Sequence, residues 1–496
     1  MAEWSKAHDW KSCRVNSPRG FESLLFRRFL SRLLLAAASL LVLAFAPAQY
    51  LGRQQDDLLY VIAAHALPTG RYELMTAVGH PPLTSTAPGW PLLMAPLALV
   101  SAPSGAFQAF AALLLAACPW LLWWWLRRRT GEREAVLAAL VFAASPVVLS
   151  QAGTTMPEAA YLLVFLGALL AAESGRSATA GGLGAWLVLI RPAGLSALPA
   201  LAARPALAGK WKDAAKALGL PLLAAAAWSA WSMRRSGGVQ EASELAMAYG
   251  HTRLSPLTAA ARNLGYFATE LGGCFLPPRL ADGALAALLG AALLGFALRG
   301  LKSALKKEPG SPAGLALLGA LFMHAVWTWH YERYLIPLLP LLLWALILGL
   351  GKAAPRVLAA LLAAQLGFQT LPRLGRPAPW GEPELARTYA WLRADGTPGA
   401  LASALPVRDG WHAGLPCLPL PDDATASAFA ATLASRRARF VLRQDGLDFG
   451  LTAGADAPLS RMLDRAYSFL DDASLFRVVH EEPAERARVY ELRGKR

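Results

Sequence analysis

Long apolar runs, each followed by a short cluster of lysine and arginine, constrain the fold of this chain more than any other feature. The run at residues 104–126 ends in WWWLRRRTGER, and the run at 281–298 is followed by RGLKSALKK. About 20 apolar residues span the hydrocarbon core of a bilayer, and basic clusters mark the cytoplasmic ends of such spans. The sequence therefore predicts a polytopic α-helical membrane protein.

The composition agrees with a membrane location. Of the 496 residues, 55% are hydrophobic and 16% are charged, whereas a soluble domain carries about 25% charged residues. A net charge of +15 would suggest nucleic acid binding in a soluble chain, but here the basic residues lie between apolar runs. We interpret them as topology signals and expect no nucleic acid partner. The four cysteines form no CxxC or Cys/His pattern, so the sequence supports neither a structural zinc site nor a redox motif.

Alternating the direction of the chain at each basic cluster gives about eleven crossings and places the C-terminus outside the cytoplasm. Residues 1–27 form a basic cytoplasmic segment. We favour a retained first span over a cleaved signal peptide, because the segment before it is long and basic and more spans follow. The predicted spans are 28–48, 104–126, 135–150, 158–172, 179–190, 193–204, 214–232, 281–298, 312–329, 335–350 and 355–371.

One apolar stretch cannot be a single full span, because the basic residues on both sides of it look cytoplasmic. Arg176 precedes the stretch, Lys210 follows it, and LIRPAG interrupts it in the middle. Two short helices that meet at Arg191 resolve the conflict, since broken helices are tolerated where they border a polar cavity. We therefore expect Arg191 inside the fold, near the outer face of the membrane.

The chain divides into a membrane domain and a C-terminal domain. We predict the transmembrane domain at 28–374, with outer loops at 51–103 and 233–280, and a second domain at 375–496. In the second domain acidic residues return, and EPELARTYAWLRADG has the pattern of an amphipathic helix. GALASAL, ARFVLRQ, LFRVVHEE and ARVYELR have the pattern of short strands. The sequence thus predicts a small α/β domain on the extracytoplasmic side.

Polar residues from separate stretches of chain converge on the predicted outer face. They are Asp56, Asp57, His80, Glu158, Arg191, Glu332, Arg333 and Tyr334. An ionisable side chain at membrane depth costs about 2.5 to 3.5 kcal/mol on insertion scales, so such residues are expected to act in a site or to pair with one another. Structural pairing of Glu158 or Asp57 with Arg191 or Arg333 is therefore an alternative to a functional role.

The order of several motifs resembles that of a known family. The motifs are DDLLYVIAAHALPTGRYE, GHPPLTSTAPGWPLLMAPLALV, LIRPAGLSALPALA and ERYLIPLLPLLL. They supply an acidic pair after the first span, a GRY turn, a PPGyP-like start to the next helical hairpin, an RP break and an RYLxPxxP span. This order resembles the bacterial GT-C glycosyltransferases, a group related to protein O-mannosyltransferases and to lipid A aminoarabinose transferase. The resemblance covers nearly the whole chain, and the segment from WLRADGTPG onward is similar to the periplasmic domain of many such enzymes.

The resemblance implies a GT-C fold and a glycosyltransferase of the bacterial inner (cytoplasmic) membrane. Such an enzyme moves a sugar from a polyprenyl-phosphate donor to a glycan, lipid or protein acceptor at the outer face. No glycine-rich nucleotide-binding fingerprint is present on a predicted cytoplasmic loop, which agrees with a lipid-linked donor.

The reaction assigns expected roles to four of the residues. An acceptor hydroxyl needs a base that takes its proton as the new bond forms, and the resemblance points to Asp56. Asp57 stands where the family more often has Glu, and we expect it to orient Asp56 or to pair with a cation. The leaving phosphate gains negative charge, which a planar guanidinium binds well. Arg191 and Arg333 are therefore the expected phosphate ligands, with an interfacial, snorkelling Arg333 as the alternative.

Glu158, His80, Glu332 and Tyr334 are expected to position the acceptor or another part of the substrate. A second acidic residue where Glu158 stands is a feature of the family, and coordination of a divalent cation is an alternative role for it; the helix dipole also favours a carboxylate at a helix N-terminus. His80 has two alternatives, a metal ligand and an ordinary surface histidine. Dependence on a divalent cation stays open, and no other cofactor is expected.

Two other functions fit parts of the sequence. A transporter or flippase of a lipid-linked or anionic substrate would also use broken helices with an arginine at membrane depth. The candidate residues, however, lie on one side of the membrane, and no inverted repeat is visible. A scaffold without catalytic activity would fit if the Asp56 carboxylate were dispensable.

Overall fold

The computed structural model describes residues 18–47, 49–54, 56–236, 255–327, 330–376, 381–396, 398–447 and 457–493. The helices of the N-terminal part share one extensive apolar core. They are α1 (Pro18–Ala44), α2 (Asp56–Ala66), α3 (Gly89–Leu99), α4 (Ser104–Leu126), α5 (Glu132–Ala143), α6 (Pro146–Leu149), α7 (Glu158–Glu173), α8 (Ser177–Ile190), α9 (Leu198–Leu207), α10 (Trp211–Ser236), α11 (Pro256–Gly273), α12 (Ala284–Lys307), α13 (Pro312–Val326), α14 (Leu335–Leu350) and α15 (Ala354–Ala364).

Several helices have the length and composition of membrane spans. Within the ranges given above, three stretches are long and apolar enough to cross a bilayer: Ser104–Leu126, Ala284–Lys307 and Glu332–Arg373. Shorter apolar helices include Phe29–Ala44, Ser177–Ile190 and Pro312–Val326. These features support a membrane protein, while the total of about eleven crossings stays a prediction.

The apolar stretch around Arg191 is broken where the sequence predicts. Helix α8 ends at Ile190, Arg191 is extended with φ −148° and ψ 134°, and the 3-10 helix Pro192–Ala197 leads into α9. Proline disfavours a helical backbone at the residue before it, so Pro192 explains why α8 stops there. The predicted helices 179–190 and 193–204 correspond to α8 and to the 3-10 helix with α9.

Other predicted boundaries differ from the structure. The predicted span 135–150 is divided between α5 and α6 at Pro146, which has no N–H to continue the hydrogen bonding of a helix. The predicted outer loop 51–103 contains α2 and α3, and the predicted loop 233–280 contains α11. These two predicted loops are therefore more helical than the sequence analysis expected.

The C-terminal part contains a five-stranded sheet of order β2-β1-β3-β5-β4. Strands β1 (Ala400–Ser403), β2 (Cys417–Pro419) and β3 (Ala438–Gln444) are parallel. Strand β5 (Ala487–Leu492) is antiparallel to β3 and to β4 (Phe476–Glu482). Helices α16 (Ala386–Asp395), α17 (Pro406–Ala413), α18 (Ala426–Ser435) and α19 (Ala457–Phe469) contribute to its apolar cores. The predicted strands and α16 are present, whereas the short β2 was not predicted.

Candidate active site

A cavity of about 490 Å³ lies between α2, α7, the break at Arg191, α13 and the start of α14. Its apolar lining includes Phe165, Ile190, Leu195, Met323, Pro337 and Leu338. Its polar lining consists of Asp56, Tyr60, Ser85, Thr86, Glu158, Tyr161, Arg191, Ser196, His324, Arg333 and Tyr334. Five of the eight predicted site residues therefore line one cavity.

Four charged side chains form a series of ion pairs along this lining. Arg333 Nη2 donates to Asp56 Oδ2 at 2.9 Å, and Arg333 Nε lies 3.7 Å from Glu158 Oε1. Arg191 Nη2 donates to the same Glu158 oxygen at 2.6 Å. Two carboxylates and two guanidiniums thus alternate, and each charge that is removed from water has an opposite charge beside it, which offsets part of its desolvation cost.

The members of this series differ in how accessible they are. The exposed fraction of the side chain is 4% for Glu158, 6% for Arg333 and 18% for Arg191, but 46% for Asp56. Asp56 is therefore the charged group that a molecule in the cavity reaches most easily. Glu158, by contrast, is surrounded by the two arginines, so the predicted structural pairing is present at this residue.

Arg333 is held by a hydrogen bond and by two aromatic rings. Its Nη1 donates to Gln54 Oε1 at 2.9 Å, and its guanidinium carbon lies 4.4 Å from the ring centre of Tyr331. The ring centre of Tyr334 is 5.6 Å from the guanidinium carbons of both Arg333 and Arg191. Aromatic faces attract cations, so Tyr334 supports both arginines. Such burial does not fit an interfacial, snorkelling Arg333.

Three polar atoms of these side chains are buried without a hydrogen-bond partner among the described residues. They are Glu158 Oε2, Arg191 Nε and Arg333 Nε. A buried polar group without a partner costs about 1 to 3 kcal/mol. The two guanidinium Nε–H groups therefore have hydrogen-bonding capacity that the described residues do not use.

Hydrogen bonds tie the first turn of α2 to the loop before α7. Thr155 Oγ1 donates to the carbonyl oxygen of Asp57 at 2.6 Å, and Trp90 Nε1 donates to the carbonyl oxygen of Thr155 at 2.8 Å. Glu158 follows three residues later as the first residue of α7. These buried hydrogen bonds therefore hold Asp56, at the start of α2, at a fixed distance from Glu158, at the start of α7. The carboxylates of both residues contact Arg333.

Asp57 does not line the cavity. Its carboxylate accepts N–H bonds from Gly52, at 3.1 and 3.2 Å, and from Leu58, at 3.0 Å, and the residue is 1% exposed. Burial raises the pKa of Asp57 from 3.8 to about 6, although backbone hydrogen bonds, including those from Gly52 and Leu58, act in the opposite direction. The geometry favours a supporting role, in which Asp57 fixes the turn before α2, over the predicted alternative of an ion pair with Arg191 or Arg333.

His80 and Glu332 also lie outside the cavity lining. His80 is an exposed residue with φ 46° in a turn that follows Gly79. Glu332 accepts a hydrogen bond from Ser150 Oγ at 3.2 Å. The topology predicted from the sequence placed His80 and Glu332 on the outer side, but such a prediction does not say which way a side chain points.

The sequence analysis did not single out several polar residues of the site, among them Tyr60, His324 and Gln54. Tyr60 lies one turn after Asp56 on α2, so the helical period places both on one side of the helix. His324 lies in the predicted span 312–329, where a titratable side chain is itself a signal of function. Its Nδ1 and Nε2 contact the carbonyl oxygens of Ala320, at 2.7 Å, and Tyr334, at 2.9 Å. Gln54, which binds Arg333, had no recognisable signal.

Within the part of the chain that the structure describes, no group of three or more His, Cys, Asp or Glu side chains is arranged to hold a metal ion. The described cysteines Cys118, Cys274 and Cys417 are free and buried. A role for a divalent cation stays a prediction.

The sequence matches no protein-family model and no curated protein. Solved structures, however, are similar to it over most of its length. ArnT from Cupriavidus metallidurans bound to undecaprenyl phosphate is 12% identical with a TM-score of 0.56, and the match covers 96% of this chain and 98% of that one. The oligosaccharyltransferase of Archaeoglobus fulgidus in its apo form is 13% identical with a TM-score of 0.52, and the match covers 84% and 70% of the two chains.

The same oligosaccharyltransferase, tethered to an acceptor peptide, is 13% identical with a TM-score of 0.53. That match covers 84% of this chain and 69% of the other. At such identities the similarity establishes the fold, and it leaves the substrates of this chain to be argued from its own residues.

Proposed function

We propose that this chain, which has the fold of the GT-C superfamily of membrane glycosyltransferases, transfers a sugar from a polyprenyl-phosphate donor to an acceptor at the outer face of the bacterial cytoplasmic membrane. The observation that carries the proposal is one cavity that combines an accessible carboxylate, two largely buried arginines and an apolar wall. The acceptor would be a glycan, a lipid or a protein, and the C-terminal domain would lie outside the cytoplasm.

Asp56 is the proposed general base. The acceptor oxygen attacks the anomeric carbon of the sugar, the acceptor proton passes to the Asp56 carboxylate, and the bond between that carbon and the phosphate oxygen breaks. The electron pair of this bond leaves with the polyprenyl phosphate. Asp56 suits the role because its side chain is 46% exposed and lines the cavity. Arg333 binds only its Oδ2 atom, which leaves Oδ1 to accept the proton.

Arg191 and Arg333 are the proposed ligands of the donor phosphate. Charge grows on the phosphate as the glycosidic bond breaks, and fixed cations stabilise that charge best when they are already oriented before the reaction. The Nε atoms of both arginines have no hydrogen-bond partner among the described residues, and the ring of Tyr334 lies near both guanidiniums; both observations favour this role. Glu158 would then keep the two guanidiniums together in the absence of substrate.

The apolar side of the cavity suits the prenyl chain. Leu195, Met323 and Leu338 are among its lining residues, so a prenyl chain that enters from the bilayer would keep an apolar environment. The similar ArnT structure contains undecaprenyl phosphate, which we therefore take as the carrier to use as a probe. His80 and Glu332 would contact only a large acceptor, since neither lines the cavity itself.

The test compares the masses of surface glycans and glycolipids in cells that lack the protein and in cells that express variants of it. Wild-type protein is expected to restore a species heavier by one sugar, whereas Asp56→Asn should restore it about 10² to 10⁴ times more slowly, because an amide cannot accept the proton. Asp213→Asn is the matched control: this carboxylate is 41% exposed and paired with Lys216, and it is not among the residues that line the cavity. Full transfer by Asp56→Asn would refute the mechanism.

A transporter or flippase is the competing function. It would change the distribution of a lipid-linked substrate across the membrane without making a glycosidic bond. Identical surface masses in cells with and without the protein, together with a changed sidedness of lipid-linked sugars, would favour this alternative.

A further inference from the structure

The C-terminal domain contacts the segment of chain that leads into Asp56. His412, on α17, donates a hydrogen bond through Nε2 to the carbonyl oxygen of Leu51 at 2.6 Å. Its ring is stacked on Tyr389, with 5.4 Å between ring centres, and meets Tyr50 edge-on at 5.9 Å. Leu51 lies five residues before Asp56, so this bond reaches close to the proposed base.

A second residue of α17 fixes the next position of the same segment. Gly52 has φ 92°, and a Cβ atom at this position would lie 2.9 Å from Arg408 Cγ. The backbone of Gly52 is therefore in direct contact with the stem of Arg408. The Arg408 guanidinium is held in turn by Asp409 Oδ1, at 2.8 Å from Nε, and by Gln444 Oε1, at 2.7 Å from Nη2. Its side chain is 5% exposed, so the contact is buried.

Asp57 links Gly52 to Asp56, its neighbour in the sequence. The Gly52 N–H donates to the Asp57 carboxylate, which also caps the first turn of α2 by accepting the Leu58 N–H. A shift of Gly52 therefore moves the turn that carries Asp56. The path from Arg408 to the base contains only direct contacts and adjacent residues.

The domain also holds a second segment that reaches the cavity. Cys417 N–H donates to the carbonyl oxygen of Thr76 at 2.8 Å, and Val78 N–H donates to the carbonyl oxygen of Cys417 at 3.1 Å. Residues 76–78 thus extend the sheet at the edge of β2, as in strand addition. Tyr72, before this segment, donates to the carbonyl oxygen of Thr86, a lining residue, at 2.7 Å.

We propose that the C-terminal domain sets the position of the Asp56 carboxylate, with His412 and Arg408 as positioning residues that act through the turn at Leu51 and Gly52. The inference rests on the proposed function, in which Asp56 is the base. A misplacement of about 1 Å can lower a rate about 10²-fold, so contacts that hold this turn control the chemical step without touching the substrate.

The test uses the full-length protein and three variants. His412→Phe keeps the ring that packs on Tyr389 but removes the donor to Leu51, and His412→Gln restores a donor. His480→Phe is the matched control, because His480 also stacks on an aromatic ring, that of Trp391, but lies on β4 at the opposite edge of the sheet. Each variant is assayed for sugar transfer in cells, for binding of undecaprenyl phosphate and for amide exchange of residues 49–58.

His412→Phe is expected to lower transfer about tenfold and to speed exchange of the Gly52 and Leu58 amides, with the affinity for undecaprenyl phosphate unchanged. His412→Gln should recover most of the transfer rate, and His480→Phe should resemble the wild type. A loss confined to folding would instead lower transfer, binding and thermal stability together. Wild-type transfer and exchange in His412→Phe would overturn the inference.

The two proposals fail in different ways. If Asp56→Asn transfers sugar normally, the proposed base is wrong whatever the His412 variants do. If Asp56→Asn is inactive while His412→Phe and Gly52→Ala are fully active, only the positioning role is wrong. Gly52→Ala is an additional variant that tests the same path independently of His412, because its added methyl group must displace Arg408 or the turn.

Discussion

Asp56 and Asp57 are adjacent in the sequence, but their carboxylates have opposite surroundings. The Asp56 side chain is 46% exposed in a cavity and paired with Arg333, whereas Asp57 is 1% exposed and bound to backbone N–H groups. Successive residues at the start of a helix project about 100° apart, so one can face the cavity while the other caps the helix. The acidic pair therefore divides into a proposed base and a structural carboxylate.

Asp57→Asn is expected to make stability less dependent on pH. The pKa of Asp57 is raised from 3.8 to about 6 by burial, so the folded protein binds a proton at this group more tightly than the unfolded chain does. The contribution of Asp57 to stability is greatest below pH 3.8 and is lost as the pH rises through 6. Above pH 7 the ionised, buried carboxylate costs on the order of 2 to 3 kcal/mol, which a neutral amide avoids.

Thermal unfolding of the purified protein between pH 4.5 and pH 8 checks this expectation. The unfolding midpoint of Asp57→Asn should exceed that of the wild type at pH 8, and the difference should shrink steadily towards pH 4.5. A difference that does not change with pH, or a variant that is less stable at pH 8, would show that Asp57 is not a buried, titrating carboxylate.

The sequence located the charged residues of the site but not their partners. An arginine before a proline break and an arginine in ERY could be recognised, because charges at membrane depth are rare and costly. The sequence did not reveal that Arg333 contacts Asp56 and Gln54, which lie 277 and 279 positions away along the chain. Such contacts depend on helix packing that no local pattern encodes.

Among the helices, α3 and α8 approach each other more closely than side chains normally allow. A Cβ atom on Gly89, the first residue of α3, would lie 2.5 Å from the carbonyl carbon of Leu189 and 2.6 Å from the amide nitrogen of Ile190. This close contact lies immediately before Arg191. A side chain at Gly89 would therefore push apart two backbones, one of which carries a proposed phosphate ligand.

Gly89→Ala is expected to destabilise the protein by about 1 to 3 kcal/mol, the usual cost of overpacking, and to weaken binding of undecaprenyl phosphate. Gly105→Ala is the control, because no atom lies within 4 Å of a Cβ at this position in α4 and alanine favours a helix. Unfolding midpoints and binding isotherms of the two variants give the comparison. Equal behaviour of both variants would mean that the contact between α3 and α8 does not constrain the site.

The elements that the sequence predicted best have strong local signals. The break before Pro192 follows from the conformational restriction of the residue that precedes a proline, and β3, β4 and β5 have alternating or β-branched residues. Strand β2 has only three residues, and α2 and α3 lie between predicted spans without a long apolar run. These elements depend on contacts with distant parts of the chain, so their sequences alone carried little signal.

At the scale of the whole molecule, the apolar runs and the change in composition and pattern after residue 374 were sufficient to predict a helical membrane domain followed by a mixed α/β domain. The docking of the second domain was not predictable, because it depends on single contacts between distant residues, such as His412 with Leu51 and Cys417 with Thr76. The number of crossings was inferred from charge alone. It requires a direct measurement of topology, since several of the predicted spans are short or divided helices.

The most direct test of the account is a structure determined with undecaprenyl phosphate added to the full-length protein. We expect the phosphate oxygens within about 2.7 to 3.2 Å of guanidinium nitrogens of Arg191 and Arg333, the prenyl chain along Leu195 and Leu338, and the Asp56 carboxylate facing the open side of the phosphate. A phosphate bound elsewhere, with both arginines still paired only to Glu158 and Asp56, would contradict the proposed donor site.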